Sequence, residues 1–347
     1  MAAAAISRAT RLRRLYGVLD GGRRLLIIMQ NNPDPDALAA AAGLRLLANE
    51  MHDMSCSVAH SGAIGRAENQ ALVKYLGFNT RDMEGLELER FDRIAMVDAQ
   101  PGAGNVSFDQ SCRLDIVIDH HPIRRETRSA RVTDVRSRYG ATSTILWEYL
   151  DEARIEIPTR VATALVYGIR SDTQDLGRES TRADIDAYLA LYPGANQRAL
   201  GRIMSADLPR SYFALLRIAL DQALLYGNRA VTHLGPLEAP EMVAEVADFL
   251  LRAEGVEWSM ASGVIDDWLH ISLRTTDTER HAGKIARNLG GRKGFGGGHQ
   301  ALAAAQIPLP DSALEPSGLR KYVGRLRRRF LRATGPSVGR GEPLSQS

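Results

Sequence analysis

The chain of 347 residues is predicted to be α/β, with a parallel-sheet domain, a smaller α/β domain and a cleft between them. Three observations carry this expectation. Four short apolar runs in the first half are bounded by polar residues, the pattern of buried strands. They are Leu25-Leu26-Ile27-Ile28-Met29, Ile94-Ala95-Met96-Val97, Ile116-Val117-Ile118 and Ala164-Leu165-Val166-Tyr167-Gly168-Ile169. Over 25–190 such runs alternate with helical stretches, as strands of a parallel sheet require. The length also exceeds that at which one core stops growing, so two domains are expected.

Residues 1–24 read as a helix leading into the first strand. A helix over 36–50 is rich in alanine and leucine and carries Asp36 in its first turn, where the helix dipole favours an acid. Further helices start near Ala67 and cover 143–150. Residues 159–164 read as a helix feeding the apolar run before Asp172. The helix over 183–191 stops at Pro193-Gly194. A long helical pattern over 208–225 connects the domains. Beyond Asn228 the pattern changes. Ala230-Val231-Thr232 reads as a strand and 238–253 as a helix, and 258–264 and 268–273 read as a hairpin around Asp266-Asp267. A helix over 278–289 then leads to a glycine-rich loop over 290–298.

Arg320, Lys321, Arg325, Arg327, Arg328, Arg329 and Arg332 crowd the next segment, where Leu319, Val323, Leu326 and Phe330 recur at helical spacing. This reads as a solvated helix face in preference to a nucleic-acid patch. The expected divisions are a first domain over 1–195, a linker helix over 196–227, a second domain over 228–335 and a polar, disordered tail over 336–347.

The composition, 44% hydrophobic and 24% charged, is that of an ordinary globular protein. No apolar stretch has the length of a membrane span, so no membrane partner is expected. At the N-terminus the apolar residues precede Arg8, Arg11, Arg13 and Arg14, the reverse of a secretory signal. The two cysteines, Cys56 and Cys112, are isolated and offer neither a disulfide framework nor a zinc pattern. A reducing, cytoplasmic setting is expected. A net charge of +3 is not the balance of a protein that coats DNA.

The apolar runs end alike. The first leads through Asn31-Asn32-Pro33 to Asp34-Pro35-Asp36. The second ends at Asp98, the third at Asp119-His120-His121, and the fourth leads to Asp172. Ligand sites of open α/β sheets lie outside the carboxyl ends of the strands, so these side chains are expected to converge as a metal cluster. In isolation Asp34-Pro35-Asp36 reads as a capped helix start. Asp119-His120-His121 is more specific, because a lone charge at the end of a buried run is costly. Histidine with carboxylates suits manganese, iron or zinc, whereas magnesium prefers oxygen ligands alone. Paired cations sharing a carboxylate can activate a water and offset charge on phosphoryl oxygens. An adjacent histidine can hydrogen-bond the phosphate or protonate the leaving oxygen.

In this order, the residues resemble the DHH phosphoesterase superfamily, and the resemblance covers nearly the whole chain. It implies that Asp34 and Asp98 hold one manganese ion. Asp36, Asp98, His120 and Asp172 would hold a second, with Asp98 bridging. His121 would face the phosphate as a catalytic group, and Asp119 would orient the histidines. Gln30 stands where the family carries a metal-binding histidine. Its oxygen binds a transition metal more weakly than imidazole does, so two ions or one both remain open.

In the second half, Arg274 and the run Gly296-Gly297-Gly298-His299 resemble the substrate-binding domain associated with this superfamily. Glycine backbone can form a nest for phosphate, and arginine can grip it with two N–H groups. Arg178, close after Asp172, is a further candidate phosphate contact. Arg292-Lys293-Gly294-Phe295 adds residues to the glycine loop, either to stack on a base or as a plain loop insertion.

The layout is closest to the nano-RNase and phosphoadenosine-phosphate phosphatase type. That type implies short RNA or DNA oligonucleotides, dinucleotides or nucleotide bisphosphates as substrates, and a homodimer. The alternatives are a nucleotide-binding sensor on a degenerate scaffold and a single-strand exonuclease.

Overall fold

The computed structural model describes residues 6–77, 79–109, 112–298, 300–336 and 339–345. The chain divides into Met1–Ala206 and Asp207–Ser347, each with its own sheet. The first unit runs α1 (Arg8–Leu19), β1 (Arg24–Ile28), α2 (Pro35–His52), β2 (Ser55–His60), α3 (Ala67–Leu76) and β3 (Thr80–Asp82). It continues with β4 (Arg93–Val97), β5 (Ile116–Asp119), β6 (Val132–Val135), α4 (Thr142–Glu152), α5 (Thr159–Asp172), α6 (Arg182–Leu191) and α7 (Gln197–Met204).

Its six strands are all parallel, in the order β3-β2-β1-β4-β5-β6. Alternation along β1 sends Leu25 and Ile27 to one core, with Met29 just beyond the strand, and Leu26 and Ile28 to another. Strand order reverses between β1 and β4. That switch point is where open α/β sheets place their ligands, and the two strands lead to Asp34 and Asp98.

The fourth apolar run is not a strand. Residues 164–169 lie within α5 and are buried all along it. A short apolar run does not by itself distinguish a buried strand from a buried helix. Here the helical pattern that begins at Thr159 continues to Asp172. Small residues let α5 approach α2 closely. A Cβ on Gly168 would lie 3.0 Å from the Ala39 Cβ, and one on Gly43 would lie 3.1 Å from the Leu146 Cβ of α4.

The expected linker helix is instead two helices in different units, α7 and α8 (Arg210–Gln222). Pro209, extended at φ −66° and ψ 152°, caps α8. A proline disfavours helical backbone in the residue before it, which separates the two.

The second unit continues with β7 (Leu224–Tyr226), β8 (Arg229–Pro236), α9 (Glu241–Leu250), β9 (Trp258–Ile265) and β10 (Trp268–Thr275). Then come α10 (Ala282–Gly290), β11 (Phe295–Gly298), β12 (Leu302–Pro308), α11 (Pro316–Thr334) and β13 (Glu342–Pro343). The sheet order is β11-β12-β10-β9-β8-β7-β13, with β8 and β9 parallel and the other pairs antiparallel. Trp258 and Phe330, both fully buried, meet edge to face at 6.1 Å in its core.

Two expectations change here. Residues 295–298 of the glycine loop form an edge strand, with Gly296 opposite Ala305 and Gly297 opposite Ala304. In the tail, Glu342 and Pro343 pair with Leu225 and Leu224. Among the described residues no helix is long and apolar enough to cross a membrane.

Candidate metal centre

Asp34 caps α2, accepting the Ala37 N–H at 3.0 Å, and Asp36 follows in the first turn. The Asp36 carboxylate is fully buried and accepts the N–H groups of Thr142 at 2.6 Å and Ser143 at 2.9 Å. These are among the first N–H groups of α4, which its own hydrogen bonds leave unpaired. Asp98 follows β4 in a left-handed conformation, φ 54°, and its N–H donates to the Ile118 carbonyl. A non-glycine residue held there marks backbone strain of the kind that gathers at functional sites. The Thr142 hydroxyl donates to Asp98 Oδ1 at 2.9 Å, whereas buried Oδ2 has no hydrogen-bond partner.

Asp119 ends β5 and organises the histidine pair. Its Oδ1 accepts the N–H of His120 at 2.7 Å, the N–H of His121 at 3.1 Å and the His121 Nδ1 at 2.8 Å. Its Oδ2 accepts the Gln100 amide at 2.6 Å. Burial pushes this carboxyl up, but His121, then His120 and Gln100, outweigh it and hold Asp119 well below the usual carboxylate range.

His120 Nδ1 donates to the Tyr139 carbonyl at 3.1 Å, which turns Nε2 toward Asp172 Oδ2 at 3.1 Å. Tyr139 is fixed in turn. Its hydroxyl donates to buried Glu148 at 2.9 Å, and Arg136 lies over its ring.

Asp36, Asp98, His120 and Asp172 each offer a ligand atom within 4.8 Å of the others, and Asp98, His120 and His121 form a second such group. Asp34 belongs to neither. It accepts the Gln30 amide at 2.9 Å, while the Gln30 oxygen accepts from Asn105 at 2.9 Å. Gln30 is therefore committed to its two neighbours. Arg178 donates its backbone N–H to the Thr173 carbonyl at 2.8 Å, in a turn where Gln174, Asp175, Leu176 and Glu179 all have positive φ.

The donor set fits a divalent cation. Three carboxylates and an imidazole converge on one point, and a buried carboxylate oxygen lacks a donor. Burial first, then Asp172, pushes Asp36 up to about 7 and Asp34 up to about 6. Asp98 is raised by burial and by Asp34, Asp36 and Asp172. Burial opposes the charge on His120, but Asp172 and other acids outweigh it and push the imidazole up to about 10. Clustered acids that resist ionisation and an imidazole that holds its proton are what a missing positive charge produces.

A pH dependence follows. The folded metal-free chain keeps protons on Asp34 and Asp36 that the unfolded chain loses near 3.8, so stability declines as pH rises from about 4 to 7. His120 contributes stability below 6.5 that is lost toward about 10, the same direction. Asp119 gives its gain above its ordinary value and adds no slope in this window. Without metal, stability should fall from pH 5 to 9 by about 1.4 kcal/mol per pH unit per proton of difference. Added Mn2+ should reverse the fall. Chemical denaturation in a chelator at several pH values checks this, and a rise with pH would contradict it.

In the second unit Arg274 is 9% exposed and grips Asp248 of α9, Nε to Oδ1 at 2.5 Å and Nη2 to Oδ2 at 3.3 Å. It also donates to Ser272 and to the Leu273 carbonyl. This is the work of a structural cation inside its own domain. The glycines serve packing against α10. A Cβ on Gly296 would lie 2.4 Å from the Ala286 carbonyl oxygen, and one on Gly283 would lie 2.2 Å from that of Gly298. Gly297 has open space, Phe295 stacks on Trp268 at 6.2 Å, and His299 lies outside the described residues.

Acids and imidazoles gathered at the switch point of a parallel sheet define an α/β domain built to bind divalent cations. Residues 24–169 match the N-terminal domain of the DHH family. An uncharacterized protein of Methanocaldococcus jannaschii is 34% identical over 315 residues, covering 90% of this chain and 64% of that one. A probable manganese-dependent inorganic pyrophosphatase of Lactobacillus gasseri is 30% identical over 183 residues, 51% of this chain and 57% of the relative. The chain thus spans less than two thirds of the length of these relatives. An exopolyphosphatase-related protein from Bacteroides fragilis shares the fold, with a TM-score of 0.73 and 16% identity over 96% of this chain and 100% of that one. The first unit thus carries the N-terminal domain of the DHH family.

Sequence reasoning missed Gln100, Asn105, Tyr139, Thr142 and Ser143, which hold the acids and histidines in place. They are uncharged, and no spacing in the sequence links them to their partners.

Proposed function

We propose that the chain is a manganese-dependent phosphoesterase of the nano-RNase type, cleaving short oligonucleotides, dinucleotides or nucleotide bisphosphates. The observation that carries this reading is the convergence of Asp36, Asp98, His120 and Asp172, whose ligand atoms lie within 4.8 Å of one another. The relative described as a probable manganese-dependent pyrophosphatase supports the choice of metal. Bound there, the cations supply an activated water and offset charge on the phosphoryl oxygens.

The side chains do the rest. His120, fixed through Tyr139, presents Nε2 as a ligand. His121 donates from Nδ1 to Asp119, which leaves its outer nitrogen to meet the phosphate or protonate the leaving oxygen. Asp119, held ionised, keeps that tautomer in place. A screen of dinucleotides, short RNA, nucleotide bisphosphates and pyrophosphate with Mn2+ tests the reading. Release of mononucleotides or phosphate supports it, and no turnover with metal bound rejects it.

One observation favours a centre with one tight and one weak ion. Gln30 spends its amide on Asp34 and Asn105. Gln30→His should tighten the weaker Mn2+ about tenfold, the scale on which ligand-shell changes move affinity. Calorimetric titration checks this. An unchanged second affinity would remove Gln30 from the account.

A further inference from the structure

A cavity of about 400 Å³ in the first unit is lined by Ile123, Arg124, Arg125 and Arg128. It lies just beyond His121 in sequence, and the metal-centre reading does not use it. Among the described residues none of the three guanidinium groups pairs with a carboxylate. Glu126, the acid of this segment, points elsewhere. Its carboxyl carbon lies 3.0 Å from where a Cβ on Gly102 would stand. Three cations facing one space repel one another, and an anion between them removes that cost.

The segment is also held in place. Gln100, 2% exposed, donates to Asp119 Oδ2 at 2.6 Å and to the Pro122 carbonyl at 3.2 Å. Its oxygen accepts the Arg124 N–H at 2.7 Å and the Thr127 hydroxyl at 2.8 Å. Thr127 is fully buried, and its carbonyl accepts the Thr133 hydroxyl at 3.1 Å. One buried amide therefore ties the backbone that carries the arginines to the carboxylate that orients His121. A plain solvated loop has no need of such a clamp.

We propose that Arg124, Arg125 and Arg128 bind a second phosphate group of the substrate, next to the one that is cleaved. The ligand chemistry is a phosphate or phosphodiester anion, gripped by guanidinium N–H pairs. The site would favour substrates with at least two phosphates. This rests on the phosphoesterase reading.

The test uses the full chain with Mn2+ and the double variant Arg125→Ala/Arg128→Ala, whose side chains are exposed, so folding is preserved. Substrates are a dinucleotide with and without a terminal 5′-phosphate, and inorganic tripolyphosphate. The KM for the phosphorylated dinucleotide should rise about tenfold or more, from charged hydrogen bonds lost. The kcat, the metal content and the KM for the unphosphorylated dinucleotide should stay as in the parent. Arg125→Lys/Arg128→Lys should recover part of the loss. A parallel rise for tripolyphosphate would place inorganic chains in the cavity, and a rise for the dinucleotide alone would place nucleotides there, both upholding the site.

Equal effects on both dinucleotides, or none, would overturn it. Equilibrium binding of tripolyphosphate to metal-free protein separates the two readings. Binding weakened by the double variant in a chain without turnover keeps the cavity and rejects the phosphoesterase, and binding unmoved by it there overturns the cavity as well.

Discussion

Asp98→Asn should cost the proposed hydrolytic activity about a thousandfold or more while leaving the fold intact. Asparagine tolerates the left-handed conformation that Asp98 adopts, which alanine would strain. It also keeps an oxygen for the Thr142 hydroxyl. What it removes is the charge shared by both ligand groups around His120. Loss of the cation's contribution to the transition state amounts to several kcal/mol, hence the thousandfold. The metal-free variant should melt no lower than the parent at pH 8, because burial and the charges of Asp34, Asp36 and Asp172 all oppose ionisation of Asp98. Activity above a tenth of the parent's, or a variant that unfolds, would contradict this assignment.

Gly168→Ala should destabilise the first unit by about 1–3 kcal/mol, the usual cost of overpacking. It should also weaken Mn2+ binding about tenfold or more. The new Cβ would stand 2.4 Å from the Ser143 hydroxyl, 3.0 Å from the Ala39 Cβ and 3.1 Å from Asp36 Oδ1. All three belong to buried neighbours, so α5 must shift, and Asp172 lies one turn further along it. A control separates helix propensity from contact. Gly17 in α1 has nothing within 4 Å, so Gly17→Ala should stabilise by roughly 0.5–1 kcal/mol. Denaturant melts and metal titrations of both variants check this. Unchanged Mn2+ affinity in Gly168→Ala would mean that helix packing does not set the position of Asp172.

The sheet and three of its acid-bearing ends are legible in the sequence because short apolar runs break at Asp34, Asp98 and Asp119. Asp172 is legible as an acid, but the element before it is misread, since burial makes helix and strand look alike over six residues. The holders of the site are not legible. Thr142 and Ser143 meet Asp36 across 106 and 107 positions of chain, and nothing local to a threonine or a serine reports such a partner. The partner of Arg274 is hidden for the same reason. Asp248 sits 26 residues away on another element, and an unpaired arginine cannot be told from a paired one by sequence. The glycine run reads as a phosphate nest, yet close backbone packing against α10 demands the same residue.

The centre itself is tested most directly by titrating Mn2+ into the metal-free chain at pH 8, followed by electron paramagnetic resonance. One tightly bound ion, which Asp36, Asp98, His120 and Asp172 would hold, is expected first, followed by a weaker second ion. A chain that takes up no Mn2+ at stoichiometric concentration, or binds it as well after Asp98→Asn, would contradict it.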